Sequence, residues 1–383
     1  MDHKDRARLR VLIAEDQFNM RRTLRNMLEK MGYRHIVAAA DGKVAWEKMK
    51  KEDFDLVIAD WNMPKIEGIE LLRKARQTDR LRDIPFLMVT GVVSEEHIAE
   101  AAEIDADAYI IKPFVGKVLE KKIDRILERQ ANPDEVEVLL QLGDAHLRNG
   151  QYEEALREFE QAKSLSPNSA RVLCFLGEAH DKLQDYQKAE DAYSEAIRLG
   201  PLFVKAYQKL ASLCEKQGST ERAKDLLGKA NEISPRNVDR QIQLGKISLE
   251  SGDVDAADEA FSEALKIAPE DSKIRMEIGE VFLSHDMADL AAETFKEALD
   301  INPQDAYTYN RLGIAYRKQG KYMEAIEVYK RALRVEPHNE NIYYNLGRAF
   351  LEATLKSDAR RAFESAVKIR PDFREAQELL AAL

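Results

Sequence analysis

Glu15, Asp16, Asp60, Thr90 and Lys112 are the residues of this chain whose types and spacing could do chemistry. Each sits at the end of a short apolar run: Glu15-Asp16 after VLIA, Asp60 after LVIA, Thr90 after FLMV, Lys112 after YII. Folding alone does not call for polar groups at the ends of four such runs. Clustered carboxylates repel and raise one another's pKa unless a cation intervenes. Donors that are all oxygen favour Mg²⁺, which takes few protein ligands and keeps waters that phosphate oxygens can replace.

The elements that must position these groups lie within residues 1–130. Strands are expected at Leu9–Ala14, His35–Ala39, Leu56–Ala59, Phe86–Val89 and Ala108–Ile111, with helices near Asn19–Met31, Lys43–Lys51, Gly68–Gln77, Ser94–Glu103 and Val115–Arg129. Alternating strands and helices predict an α/β doubly wound parallel sheet with helices on both faces. Ligands of such sheets sit at the carboxyl ends of strands where the strand order switches. The five polar groups belong to that edge.

These motifs carry a family resemblance. VLIAEDQFNMRRTLRNML, the DWNMP run at Asp60–Pro64 and YIIKPF at Tyr109–Phe114 resemble a two-component response-regulator receiver domain of the chemotaxis type, with a flavodoxin-like fold, over nearly all of residues 7–128. The resemblance implies that Asp60 is the phosphoacceptor, attacking a phosphoryl group brought by a histidine kinase, a phosphotransfer protein or a small phosphodonor. It implies Mg²⁺ held by Asp16, Asp60 and the Asn62 carbonyl, with Glu15 acting through water. Lys112 and Thr90 would contact the phosphoryl oxygens, and Tyr109 would be the switch aromatic. It further implies a cis Lys112-Pro113 peptide, and places Asn62 and Val92 where relatives tune dephosphorylation.

Beyond residue 130 the pattern changes. Pro133, Pro167, Pro201, Pro235, Pro269, Pro303, Pro337 and Pro371 recur every 34 residues. Ten residues after these prolines stands Gly, or Ala at 211; then come an Ala column (Ala155 to Ala359), a column of aromatics with one Leu (Phe159 to Phe363), and a second Ala column (Ala162 to Ala366). A fixed period of this length is a stack of helix pairs, each unable to bury its apolar face alone. The pattern resembles the tetratricopeptide repeat (TPR) in seven units. The fold class expected is therefore a receiver followed by an all-α TPR solenoid, with domains 1–130 and 133–383 and a capping helix at 374–383. In this family ligands bind the first helix of each pair. The residues offered there are Asn310, Arg311, Ile314, Arg317, Tyr344, Asn345 and Arg348, types that suit an extended or helical protein ligand carrying carboxylates.

Composition narrows the rest. The net charge is −10, and since residues 1–130 are close to neutral it falls on the repeats. An acidic array argues against nucleic acid as ligand. Two cysteines, Cys174 and Cys214, give no disulfide framework or metal spacing. No run is long enough to span a bilayer. The expectation is a cytoplasmic, non-enzymatic adaptor (apart from the receiver's own phosphorylation and dephosphorylation) with Mg²⁺ as cofactor. Its expected partners are a kinase and a protein ligand of the TPR groove, not nucleic acid or membrane. A scaffold whose receiver only docks or dimerises is the alternative. The junction at Asn132-Pro133 is only a few residues long, so the switching face around Tyr109 is expected to touch the first repeats.

Overall fold

The computed structural model describes residues 3–91, 103 and 106–383. The expected helix at Ser94–Glu103, apart from Glu103, and Val92 lie outside the described residues. By contact the chain divides into two compact units, Met1–Arg236 and Asn237–Leu383.

The first unit begins with a one-turn helix α1 (His3–Arg6), followed by β1 (Arg10–Ala14), α2 (Phe18–Lys30), β2 (His35–Ala39), α3 (Gly42–Lys51), β3 (Leu56–Asp60), α4 (Gly68–Arg76), β4 (Phe86–Thr90), β5 (Ala108–Ile111) and α5 (Gly116–Ala131). The five strands form one parallel sheet in the order β2-β1-β3-β4-β5. Successive strand residues face opposite sides, and both sides are apolar. Leu12, Ala14, Val57, Ala59, Phe86 and Met88 pack with Ala45, Met49, Leu71 and Leu72 of α3 and α4. Val11, Ile13, Leu56, Ile58, Leu87 and Val89 pack with Leu24, Leu28, Leu119 and Ile123 of α2 and α5. A strand buried on both faces is a continuous apolar run, which is why VLIA, LVIA and FLMV end so abruptly in polar residues. The N-terminal turn is held down by Arg6, which pairs with Glu120 at 2.6 Å and Asp124 at 2.7 Å on α5.

Three helix pairs complete this unit: Glu135–Arg148 with Tyr152–Leu165, Ala170–Lys182 with Tyr186–Leu199, and Val204–Lys216 with Thr220–Ile233. The second unit has four more: Val238–Glu250 with Val254–Ile267, Ser272–Ser284 with Ala288–Ile301, Ala306–Lys318 with Tyr322–Val335, and Glu340–Glu352 with Lys356–Ile369. The last helix, Arg374–Ala381, buries Ala376 beside Phe363 and Phe373, with Leu379, Leu380 and Leu383 packed alongside.

The column residues explain the pairing. A Cβ built on Gly143 would lie 2.2 Å from the Phe159 ring. The small residue and the large ring therefore occupy one space between the two helices, and the same pairing recurs along the array. The turn within each pair is left-handed. Gly150, Gly218, Gly252 and Gly320 supply it in four repeats, as the breaks in the sequence indicate; in the other three, Gln184, Asp286 and Thr354 adopt the same positive φ at 62°, 58° and 63°.

Candidate functional site

Parallel register sets the site. Ala14 pairs with Ala59, Asp60 with Val89, and Thr90 with Ile111. The residues that follow or end these strands therefore emerge on one edge. This edge contains the switch in strand order between β1 and β3, the place where open α/β sheets take ligands.

Three acidic residues meet there. Glu15, Asp16 and Asp60 each offer one carboxylate oxygen, and these oxygens lie within 4.8 Å of one another. Glu15 is 0% exposed and Asp60 7%, whereas Asp16 is open to solvent. The Lys112 ammonium bridges the two buried carboxylates, donating to Glu15 Oε2 and to Asp60 Oδ1 at 2.9 Å each. Burial pushes both carboxyls above their ordinary range. For Glu15 the nearby Asp60 charge adds to this while Lys112 opposes it; for Asp60 Lys112 opposes and Asp16 adds. Burial works against the Lys112 charge, but the two carboxylates outweigh it and its pKa ends above the ordinary lysine value. Two buried carboxylates and a third at the rim against one ammonium leave a net negative cluster whose free donors are carboxylate oxygens. Such a donor set fits a hard divalent cation with Glu15, Asp16 and Asp60 as the residues able to hold it.

The supporting elements are equally specific. Thr90 is 3% exposed at the end of β4, and its carbonyl accepts from the Lys112 N–H at 2.7 Å. The Lys112-Pro113 peptide is cis. Trp61, buried at 1%, follows Asp60; its N–H donates to Val89 O at 2.8 Å, and its carbonyl accepts from Gly68 N at 2.9 Å. Gly68 lies so close under Asp60 that a Cβ there would meet the Asp60 carbonyl oxygen at 2.0 Å. The Asp60–Gly68 loop thus has one available path. Asn62 is exposed in that loop. Tyr109 is half-buried against the α3/α4-side core, with the Lys122 ammonium 5.4 Å from its ring centroid.

Sequence reasoning passed over some contributors. Arg21 on α2 reaches back, its Nη1 donating to the carbonyls of Glu15 at 2.6 Å and Asp16 at 3.0 Å. It fixes the turn that presents the two acids, and an arginine one helical turn after an acidic pair was the available signal. Lys65, at φ 71°, donates to Asp41 Oδ2 at 2.5 Å and ties the Asp60–Gly68 loop to the start of α3.

The described contacts between sheet module and repeats depart from expectation. They fall on Glu67, Arg73 and Glu103, which meet Arg236 and Ser234, and on Arg129, which meets Glu137, rather than on Tyr109. One ion pair, Glu67 with Arg236, and two hydrogen bonds, Arg73 to the Arg236 carbonyl and Ser234 to Glu103, make the contact at the third repeat.

In the second unit, the residues expected to line a groove do lie together on successive first helices, but they are engaged with neighbours. Arg311 ion-pairs with Glu280. Arg317, with a side chain only 9% exposed, donates from Nε to Glu352 Oε2 at 2.9 Å. Asn345 donates to Asn310 Oδ1 at 2.9 Å. Tyr344 packs against Phe363 and Phe373 with Arg348 over its ring, and Ile314 packs into the core. Arg348 is the most open of these three arginines, at 45% side-chain exposure, and it too reaches Glu352, at 3.9 Å.

Comparison with known proteins agrees with this geometry. The model of the response regulator receiver domain matches residues 11–124. Residues 120–300 match the cilia and flagella-associated protein 70 C-terminal domain, 294–327 a tetratricopeptide repeat and 313–353 a TPR repeat. Chemotaxis protein CheY-3 of Vibrio cholerae serotype O1 is 41% identical over 121 residues, 32% of this chain and 93% of that protein. Chemotaxis protein CheY of Pseudomonas aeruginosa is 40% identical over 121 residues, 32% of this chain and 98% of that one. Among solved structures, a tetratricopeptide repeat protein from Parabacteroides merdae covers 64% of this chain and 98% of its own at 18% identity and a TM-score of 0.45. Among the described residues no helix is long and apolar enough to cross a membrane. A sheet with its acids and lysine at one edge, followed by helix pairs on a 34-residue period, therefore has a plain assignment: the chain belongs to the response-regulator receiver family, with a CheY-like receiver at its N-terminus followed by tetratricopeptide repeats, a non-enzymatic signalling or scaffold arrangement.

Proposed function

We propose that this protein is a phosphorylation-regulated signalling adaptor, with residues 1–130 as the input domain and 133–383 as the output domain. One observation carries the proposal most: Asp60 shares an acidic edge with Glu15 and Asp16 while Lys112 reaches the two buried carboxylates.

In this reading a histidine kinase or phosphotransfer protein presents its phosphoryl group at the edge. An Asp60 carboxylate oxygen attacks phosphorus, an acyl phosphate bond forms, and the bond to the donor breaks with its electron pair leaving on the donor. Mg²⁺, held by Asp16, Asp60 and the Asn62 carbonyl with Glu15 behind them, would supply charge neutralisation of the phosphoryl oxygens. Lys112 exchanges its bond to Asp60 for one to the phosphoryl group, and the Thr90 hydroxyl donates to the same group. Tyr109 is the aromatic that responds. The repeats bind a partner protein in the cytoplasm. In the groove of Asn310, Arg311, Arg317, Tyr344, Asn345 and Arg348, the Arg348-Tyr344 pair is the first point of contact, because Arg348 is the most exposed of the three arginines and its ion pair, at 3.9 Å to Glu352, is a loose one.

The test uses the full chain with acetyl phosphate and Mg²⁺. The expected result is one phosphoryl group located on Asp60 by mass, and none on Asp60→Asn. A wild-type chain that stays unmodified with both reagents present sinks the proposal and leaves an unswitched scaffold.

A further inference from the structure

We propose that the turn closing the third repeat, Ser234-Pro235-Arg236, is a latch on the receiver face beside Asp60, and that phosphoryl transfer to Asp60 loosens it. The proposal rests on the receiver reading above and adds where the signal leaves the domain. Both sides of the contact belong to the first unit.

Three contacts form the latch. The Arg236 guanidinium pairs with Glu67 at 2.8 Å. Arg73 of α4 is buried and held by Glu70 at 2.7 Å, and its other nitrogen donates to the Arg236 carbonyl at 3.5 Å. Ser234 Oγ donates to Glu103 Oε2 at 2.7 Å, with both residues buried. Withdrawing a carboxylate and a guanidinium from water is unfavourable unless partners replace the water. Here the repeat turn provides those partners, so the contact holds charged groups that would otherwise be hydrated.

The link to Asp60 is short and stiff. Glu67 occupies the N-cap position of α4, but its side chain does not cap the helix; it goes to Arg236. The next residue is Gly68, whose backbone lies against the Asp60 carbonyl with no room even for a methyl group, and whose N–H is bonded to Trp61. The backbone at Glu67 is therefore tied to the Asp60 backbone. A phosphoryl group brings about two negative charges and three acceptor oxygens to a side chain that is nearly sealed, and takes Lys112 from it. The Asp60–Gly68 segment must shift to accept it, and the Glu67 carboxylate shifts with it, away from a guanidinium anchored on the repeat. Coupling between sites is reciprocal, so opening the latch must also favour the phosphorylated form.

The experiment compares full-length wild type, Arg236→Glu, Glu67→Arg and the double charge swap, each with and without acetyl phosphate and Mg²⁺. Hydrogen exchange is followed over residues 220–236, and intact mass reports phosphoryl occupancy. In wild type, phosphorylation is expected to raise exchange there severalfold. Arg236→Glu should start at the raised level, change little further, and reach about fivefold higher occupancy ratio at limiting phosphodonor. The charge swap should restore the protected, phosphorylation-responsive state. The proposal is overturned if Arg236→Glu exchanges like wild type, or if fully phosphorylated wild type shows no change over 220–236. If no phosphoryl group is taken up while Arg236→Glu still loosens the turn, the receiver reading and the coupling fall together and only a static contact remains.

Discussion

Lys112 is the residue on which the edge depends. It is the ammonium bonded to two carboxylates that burial has pushed toward protonation. Removing one partner of a buried ionic group leaves the others uncompensated, which is strongly destabilising. Lys112→Met is therefore expected to lower the stability of the metal-free chain by about 2 kcal/mol in urea denaturation. Asp60→Asn in the same background should recover part of the loss. The carboxyl of Glu137 is shifted the other way from those of Glu15 and Asp60. Burial pushes its carboxyl up, but Arg171 at 2.6 Å and then Arg129 pull it below the ordinary range. A lowered carboxyl contributes stability above its unfolded-state pKa and loses it as pH falls through the folded value. Glu137→Gln is expected to cost about 1 kcal/mol at pH 7, and the difference from wild type should shrink as pH drops below about 4. At this scale the candidate site was legible because its residues are polar interruptions of apolar runs. Arg21, Lys65 and Glu67 were not, because a surface helix or loop carries many charges and only the fold shows which of them meet a partner from another element.

At the scale of elements, the sheet follows from the strands' continuous apolarity, and the expected strand spans agree with the described ones to within about a residue at each end. The inner turns of the repeats were legible only where Gly occurs. Thr354 holds φ 63° in the same turn, where a β-branched residue is strained by about 1–2 kcal/mol. Thr354→Gly is expected to raise the urea midpoint of the chain, with a gain of about 1 kcal/mol. The helix pairs make the reverse test available. Gly143→Ala sets a methyl group within the Phe159 ring's space, and such overpacking should cost about 1–3 kcal/mol. Combining it with Phe159→Leu should give less than the sum of the two losses, because both changes act on one space. The period of 34 made these columns visible; the complementary fit of glycine and ring became visible only in three dimensions.

At the scale of the whole molecule, the boundary seen in sequence and the division seen by contact differ. Sequence pattern changes at 131–133, whereas the chain divides into compact units between Arg236 and Asn237. Composition and period cannot register that the first and third repeats share contacts with the sheet module, the latter joining residues far apart in the chain, such as Glu67 with Arg236. Arrays stabilised by neighbour contacts need not unfold in one step. Calorimetry is expected to resolve more than one transition, and Arg236→Glu should shift the one that reports the sheet.

The burial of Trp61 beside Asp60 has a practical corollary. The chain contains two tryptophans, Trp46 and Trp61, both in the sheet module, and the repeats contain none. Indole emission from the intact, unlabelled protein is thus a window on one domain alone. Its intensity during a titration would follow events at the acidic edge, while more than half of the polypeptide stayed dark.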